Sequence, residues 1–465
     1  MAKVRRYEQI DGNVTKFWEL ELREEISFVA RWGKVGAAGR NERNYGFPDQ
    51  AAQIKAADKL IAEKLETGFK QVGGKQPKTA AKEKPAKLAN AKRTTGGGNP
   101  KLEAMLADNP DDAGTWQVYA DWLLEHGEPW GEVIATAANG KRPKARQNTT
   151  AHEILRALEG SSLEWRFGTV DRASLCPEEA DSGEGDEHDD KLTPYAATLG
   201  RLLAHPAGRL VRELELGLPP NDDIDWAYDT VIPTLVGSGT LPLLRVLDLT
   251  PDAEFMDQDS WRAVGDLSKL WAIAPQLREV RLKGSGNDGE STTLGTVVAP
   301  FLEKFIHISS GLSKAVPVSL GKATLPELRH LELYIGQEDY GNTCKVKSFA
   351  GIFEGKGLPR LEYLAIANSD WEKELIAALA KAPIVKRLKT LDLTKGVMWR
   401  EAAQALLEHA SAFRHLELLD LSDNYFDAES CKAIKKAIPC ANVDDQKESD
   451  DPEDGESHRY VTVGE

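Results

Sequence analysis

Seven segments of the chain share one pattern of apolar and polar positions. Each reads apolar-x-x-apolar-x-apolar, as in VRELELG, LRVLDLT and LELLDLS, and successive copies lie 33, 33, 51, 33, 27 and 28 residues apart. Apolar residues two positions apart predict short half-buried strands whose intervening residues point away from the core. The longest interval predicts one more strand, hidden in FLEKFIHIS. The paired core positions are Leu214/Leu216, Leu247/Leu249, Val280/Leu282, Leu331/Leu333, Leu364/Ile366, Leu391/Leu393 and Leu419/Leu421.

Helical patterns such as WEKELIAALAKAP and EAAQALLEHASAF lie between these strands. One strand and one helix cannot bury their own apolar face, whereas stacked copies bury a continuous core, so residues 195–442 predict an α/β solenoid. The pattern resembles leucine-rich repeat proteins, and its period is closest to the ribonuclease-inhibitor type. That resemblance implies protein binding on the concave strands. In the last copy, Asn424 is expected to bond free backbone groups at the turn.

Residues 1–72 predict a separate small domain. NVTKFWELEL and EISFVARWG alternate as half-buried strands do, and residues 48–68 have helical spacing with Pro48 near the start and Gly68 at the end. RWGKVGAAGRNERNYGF and EKLETGF resemble the WGR domain of poly(ADP-ribose) polymerases and many bacterial multidomain proteins. The predicted fold class is therefore multidomain α/β, with a small β-rich α+β WGR-like domain followed by a leucine-rich repeat α/β solenoid.

The WGR resemblance implies a role in recognising broken DNA ends. In that family the motif tryptophan packs on a terminal sugar and the arginine contacts phosphate or a neighbouring domain; by position these roles fall to Trp32 and Lys34. Lysine keeps the charge but lacks the planar fork of arginine. Arg31, Arg40 and Arg43 are further candidates for holding phosphate. The alternative interpretation is that Trp32 packs on its own domain and binds nothing.

Amino-acid composition divides the rest of the chain into four further segments. Residues 73–100 are rich in Lys, Ala, Pro and Gly and predict a basic flexible linker. Residues 101–138 predict short helices, and DDAGTWQVYADWLLEHGEPWGEVI resembles a bacterial repeat-companion domain. Residues 139–194 form a connecting segment with an acidic loop and a candidate first strand, and residues 443–465 predict an acidic disordered tail.

The distribution of charge distinguishes a basic N-terminal part, which we call the head, from an acidic remainder of the chain. Residues 1–100 carry 20 Lys and Arg against 12 Asp and Glu, whereas the remaining residues carry 39 against 62. Within the solenoid the outward strand positions are mostly acidic, with a single basic residue among them. A concave face of this kind favours a basic protein partner, and ordinary solvated strand surface is the alternative. These candidate positions are Glu213, Glu215, Asp248, Glu279, Arg281, Glu332, Asp392 and Asp420.

Motifs of catalysis are missing from the sequence. It has no H-E-x-x-H or C-x-x-C spacing for zinc, no EF-hand order and no G-x-S-x-G elbow. The four cysteines, an N-terminus without an apolar leader and the lack of a long apolar run predict a cytoplasmic protein that does not span a membrane. The expected function is a non-catalytic adaptor without a cofactor. It would bind a protein through the solenoid, and nucleic acid or another domain through the head. The alternatives are a DNA- or RNA-end sensor led by the WGR-like domain, and an enzyme of unrecognised type in residues 138–210.

Overall fold

In the computed structural model the chain divides into two compact units, residues 1–97 and 98–465. The structure describes residues 3–11, 14–23, 27–34, 41–46, 61, 70–72, 98–142, 161–175, 189–217, 228, 231–250, 264–285, 292–448 and 459–463.

The first unit contains a five-stranded antiparallel sheet in the order β4-β3-β2-β1-β5. Phe17 and Trp18 are adjacent in β2 and both buried, which means that both faces of this central strand are covered at that point. Of the helix expected over residues 48–68, only Ile61 is described, and it is helical. The strands are Lys3–Asp11 (β1), Val14–Arg23 (β2), Ser27–Lys34 (β3), Asn41–Gly46 (β4) and Lys70–Val72 (β5).

The second unit is built on one eleven-stranded sheet in which strands β6 to β16 follow one another in chain order. Strands β6 and β7 are antiparallel, and every later neighbour is parallel. The seven predicted strands and the hidden one are observed at consecutive positions, β8 to β15. The strands are Ser162–Arg166 (β6), Thr169–Leu175 (β7), Glu213–Leu216 (β8), Val246–Leu249 (β9), Glu279–Lys283 (β10), Lys304–Ile308 (β11), His330–Gly336 (β12), Tyr363–Ser369 (β13), Thr390–Asp392 (β14), Leu418–Asp420 (β15) and Ala441–Asn442 (β16).

Helices lie between most of the strands and cover one side of this sheet, and their buried residues join the strand leucines in a single core. The long parallel sheet with its helices has a solenoid-like α/β architecture. Because one side of each strand packs on helices, alternate residues face the other side. The helices are Pro100–Asp108 (α1), Ala113–Glu125 (α2), Gly131–Ala138 (α3), Asp189–Ala204 (α4), Val231–Gly237 (α5), Leu270–Ile273 (α6), Ala315–Lys322 (α7), Ala350–Glu354 (α8), Lys373–Lys381 (α9), Arg400–Glu408 (α10) and Ala428–Ala437 (α11).

Helices α1 to α3 share the core of the sheet. Trp130 donates its ring N–H to the carbonyl of Gly168 at 2.8 Å, in the turn between β6 and β7. The buried carboxylate of Glu103 pairs with Arg209 at 2.7 Å and accepts a hydrogen bond from Tyr119 at 3.1 Å. These contacts join the helices to the first strands of the sheet through both packing and charge.

Asn424 connects neighbouring repeats as the sequence predicts. Its side chain is fully buried, and its Nδ2 donates to the carbonyls of Leu393 at 2.9 Å and Leu421 at 3.1 Å. Its Oδ1 accepts from the backbone N–H of Met398 at 3.1 Å. One amide therefore satisfies backbone groups that the turns leave unpaired.

Two parts of the segment expected to be a disordered tail, residues 443–448 and 459–463, pack on the repeats. Gln446 donates to the carbonyl of Leu421 at 3.0 Å. Val461 and Val463 are only 7% and 5% exposed. These two β-branched residues follow a strongly acidic stretch and supply the apolar surface that composition alone does not reveal.

Candidate binding face of the parallel sheet

The side of the sheet that faces away from the helices carries two rows of side chains, which we call the exposed sheet face. Strand register places all eight candidate residues of the solenoid in these rows, on neighbouring strands. The first row runs through Arg172, Glu213, Val246, Glu279, Lys304, His330, Tyr363 and Thr390. The second runs through Ser174, Glu215, Asp248, Arg281, Ile306, Glu332, Ala365, Asp392 and Asp420.

The sequence pattern indicates Arg281 as the only basic residue of this face, but the structure adds two more. Strand β7 adds Arg172 and the hidden strand β11 adds Lys304, two strands outside the seven repeat matches. Arg281 contacts Glu279 at 2.6 Å and Asp248 at 3.8 Å, and Lys304 contacts Glu279 at 3.4 Å. Burial alone would raise the pKa of Glu279, but these two cations outweigh it and lower that pKa. The β7–β11 part of the face therefore holds its carboxylates in ion pairs.

The β12–β15 part of the face is different. Tyr363 donates to Asp392 at 2.7 Å, and Asn442 donates to Asp420 at 3.0 Å. Burial raises the pKa of Asp392, and the hydrogen bond from Tyr363 opposes that shift. Among the residues described, these two aspartates accept bonds from neutral donors rather than from Lys or Arg. This end of the face keeps a net negative charge that a cationic group of a partner could neutralise.

Two aromatic rings lie beside these carboxylates. The rings of His330 and Tyr363 stack with centroids 4.0 Å apart and planes 5° from parallel. His330 also contacts Glu332 at 3.0 Å. Neither ring was among the candidates from sequence, although both occupy outward positions of recognised repeats. A planar ring pair next to carboxylates is a surface that binds arginine or an aromatic side chain well.

A row of arginines borders the face where the strands begin. Arg212, Arg245, Arg278 and Arg329 each stand two residues before the first core position of a repeat, and they line a groove of about 440 Å³. The repeated apolar-Arg-x-apolar-x-apolar spacing was visible in the sequence and could have revealed this row. The structure pairs most of its members with carboxylates.

Arg245 differs from its neighbours in that row. Arg212 donates to Asp171 at 2.7 Å, whereas Arg245 donates to the backbone carbonyl of Ala107. Burial, and then the charges of Arg278 and Arg212, lower the pKa of Arg245. Arg245 is thus the arginine of this row that binds a backbone carbonyl instead of a carboxylate.

The WGR-like unit places its candidate residues in two adjacent strands. Arg31, Trp32 and Lys34 belong to β3 and Arg43 to β4, and Arg40 lies outside the described residues. Trp32 is therefore part of strand β3. Strand register pairs its backbone with Trp18 of β2.

Two other features are absent from the described part of the chain. No group of three or more His, Cys, Asp or Glu there could hold a metal ion. None of its helices is long and apolar enough to cross a membrane.

Comparison with known proteins identifies one part of the chain. The search of curated proteins found no match to the chain. A crystal structure of a protein from Bacteroides fragilis aligns with 96% of this chain and 97% of its own, at 20% identity and a TM-score of 0.47. The family model described as the WGR domain matches residues 4–76, which cover the five described strands of the first unit except for Lys3. Residues 4–76 therefore form a WGR domain.

Proposed function

We propose that the protein is a non-catalytic adaptor of the cytoplasm. Its second unit would act as a leucine-rich repeat solenoid of the ribonuclease-inhibitor-like type, preceded by a repeat-companion domain, and would bind a protein partner on the exposed sheet face. Its WGR domain would bind nucleic acid or another domain. The observation that carries the proposal is the pair of continuous side-chain rows, the first of which runs from β8 to β14 and the second from β8 to β15.

The β12–β15 end of the face supports a basic partner segment. Asp392 and Asp420 have neutral hydrogen-bond donors, and the stacked rings of His330 and Tyr363 lie beside them. An arginine of a partner could pair with the carboxylates and cover the rings, which is a geometry that guanidinium groups favour. The ion pairs of the β7–β11 end would then contribute mainly to register and to rejection of wrong partners.

Charge removal at this end tests the partner assignment. The double variant Asp392→Asn, Asp420→Asn keeps side-chain size and one acceptor oxygen at each position but removes two negative charges. Affinity capture from host cells, treated with nuclease and quantified by mass spectrometry, should recover about tenfold less of the specific protein partner. The matched control is Asp339→Asn, which removes a charge from an exposed residue after β12. Equal recovery by the double variant and wild type would contradict the proposal.

Nucleic-acid binding by the WGR domain is the second function that we propose to test, because a WGR domain is present. The full chain should bind nicked or blunt DNA duplexes, with affinity that falls as salt rises. Trp32→Ala should weaken that binding about tenfold, as loss of one stacking contact does. Lys70→Ala, on the edge strand β5, removes an exposed charge as a control. No binding even at low salt would leave a protein-only adaptor.

A further inference from the structure

The last described residues of the chain, 459–463, lie on the sheet rather than away from it. Val463 and Asn368 of β13 form two reciprocal hydrogen bonds. The Val463 N–H donates to the Asn368 Oδ1 at 2.8 Å, and the Asn368 Nδ2 donates to the Val463 carbonyl at 2.7 Å. A side-chain amide that bonds both backbone groups of one residue recognises an extended peptide without reading its side chain.

The side chain of Val463 fills an apolar depression on the exposed sheet face. It packs with Tyr334 of β12 and Ala367 of β13, and Ile308 of β11 is in contact with the same cluster. Tyr334 and Ala367 are 8% and 0% exposed with Val463 in place. These residues occupy outward positions, so they face the side that carries the two charged rows.

Arg459 anchors the other end of the segment. Its guanidinium lies 5.0 Å from the ring centroid of Trp399, pairs with Glu372 at 3.1 Å and donates to the Val397 carbonyl at 2.9 Å. The side chain is 21% exposed. An arginine held by a ring, a carboxylate and a carbonyl at once is a strong and specific contact.

The residues between these anchors are bound through backbone groups and through the Thr462 hydroxyl. The Thr462 N–H donates to the Lys395 carbonyl at 3.1 Å, and its hydroxyl donates to Asp423 at 2.8 Å. Lys447 donates to the Tyr460 carbonyl at 2.9 Å. The segment thus crosses the ends of β13, β14 and β15 with a contact at most steps.

From this geometry we propose that a second groove, separate from the arginine-lined one, is a peptide-binding subsite of the exposed sheet face, and that residues 459–463 occupy it in cis. The groove is formed by Tyr334, Ala367, Asn368, Glu372 and Trp399. The ligand class is an extended peptide with an arginine and, four residues later, a β-branched residue. This rests on the proposed function, because a partner segment of that chemistry would displace the chain's own segment. Attachment through residues 449–458 holds the cis segment at an effective concentration on the order of mM.

Competition between a free peptide and the attached segment tests the proposal. The probe is a fluorescein-labelled peptide of residues 457–465, titrated into the full chain and into the full-length variant Val463→Asp, which places a charge in the apolar depression. We expect the probe to bind Val463→Asp at least about tenfold more tightly than wild type, because the cis competitor is weakened. Arg459→Ala is a second releasing variant that leaves the groove unchanged.

Two controls establish where the probe binds. Asn368→Ala, added to Val463→Asp, should abolish binding, and a probe peptide carrying Asp at the position of Val463 should not bind. Equal binding to wild type and both releasing variants, or none to either variant with unchanged circular dichroism, would overturn the proposal. Probe binding needs no cellular partner. Failure of the charge-removal experiment with persistent probe binding would therefore refute the adaptor function alone.

Discussion

His307 gives the solenoid a pH dependence that can be worked out from its surroundings. It lies in β11 in register with Leu282 and Leu333, so it occupies a core position that its neighbours fill with leucine. Its ring is 1% exposed, and Nε2 lies 2.9 Å from the Gly284 carbonyl while Nδ1 is buried without a partner. Full burial lowers the pKa of His307 to about 4, and the bond to Gly284 offsets this only in part.

The direction of the effect follows from the two pKa values. In the unfolded chain His307 becomes protonated as the pH falls below its ordinary pKa of 6.5. In the folded chain its pKa is about 4, so the ring stays neutral down to about that pH. The unfolded state therefore binds more protons between these values, and the stability that neutral His307 contributes is lost as pH falls through that window. The loss amounts to about 2 kcal/mol between roughly pH 7.5 and pH 5, and to about 3 kcal/mol at lower pH.

Urea unfolding followed by circular dichroism measures this loss. The variant His307→Leu removes the titrating ring and restores the leucine of the neighbouring repeats. The free energy of unfolding of wild type should fall by about 2 kcal/mol more than that of the variant over the stated range. His126→Gln, which removes an exposed imidazole, is the matched control. Identical pH dependence in wild type and His307→Leu would refute the reasoning.

Three further substitutions probe the fold and the face. Asn424→Ala should lower the free energy of unfolding by about 2–4 kcal/mol in urea melts, because it orphans several buried backbone groups; an unchanged midpoint would contradict this. Gly336→Ala should destabilise by several kcal/mol in thermal melts, since φ is +70° and an added Cβ would meet the Ser310 carbonyl oxygen. Tyr363→Phe should raise the pKa of Asp392, measured by NMR titration, because it removes a hydrogen bond that lowers that pKa; a fall would refute the assigned contact.

Much of the sheet was predictable because each repeat has two core positions, and the two together determine which side of the strand is buried. The pair Leu331/Leu333, for example, fixes which side of β12 is buried and so places Glu332 on the other side. The hidden strand was predictable from the interval alone, although Phe305 replaces leucine and His307 breaks the apolar pattern. Asn424 was predictable because an amide side chain can both donate to and accept from the backbone of neighbouring turns.

Other features depended on contacts between distant residues. Arg172 lies in a strand outside the repeat pattern, so its pairing with Glu215 could not be read from spacing. The position of residues 459–463 on the sheet depends on Asn368, which lies 95 positions away from Val463 in the sequence. Composition predicts disorder for an acidic tail, whereas the tertiary contacts of Val463 and Arg459 oppose it.

The most direct test of the adaptor account is photo-crosslinking from the exposed sheet face in host cells. In one variant a photoreactive phenylalanine analogue replaces Ile306, which lies in the second row between Arg281 and Glu332. In a second, control variant the analogue replaces Leu407, which is exposed on α10. The account predicts one nuclease-resistant protein adduct at Ile306, absent from Leu407 and weakened by Asp392→Asn, Asp420→Asn. Adducts that are equal at both positions, or absent from Ile306, would contradict it.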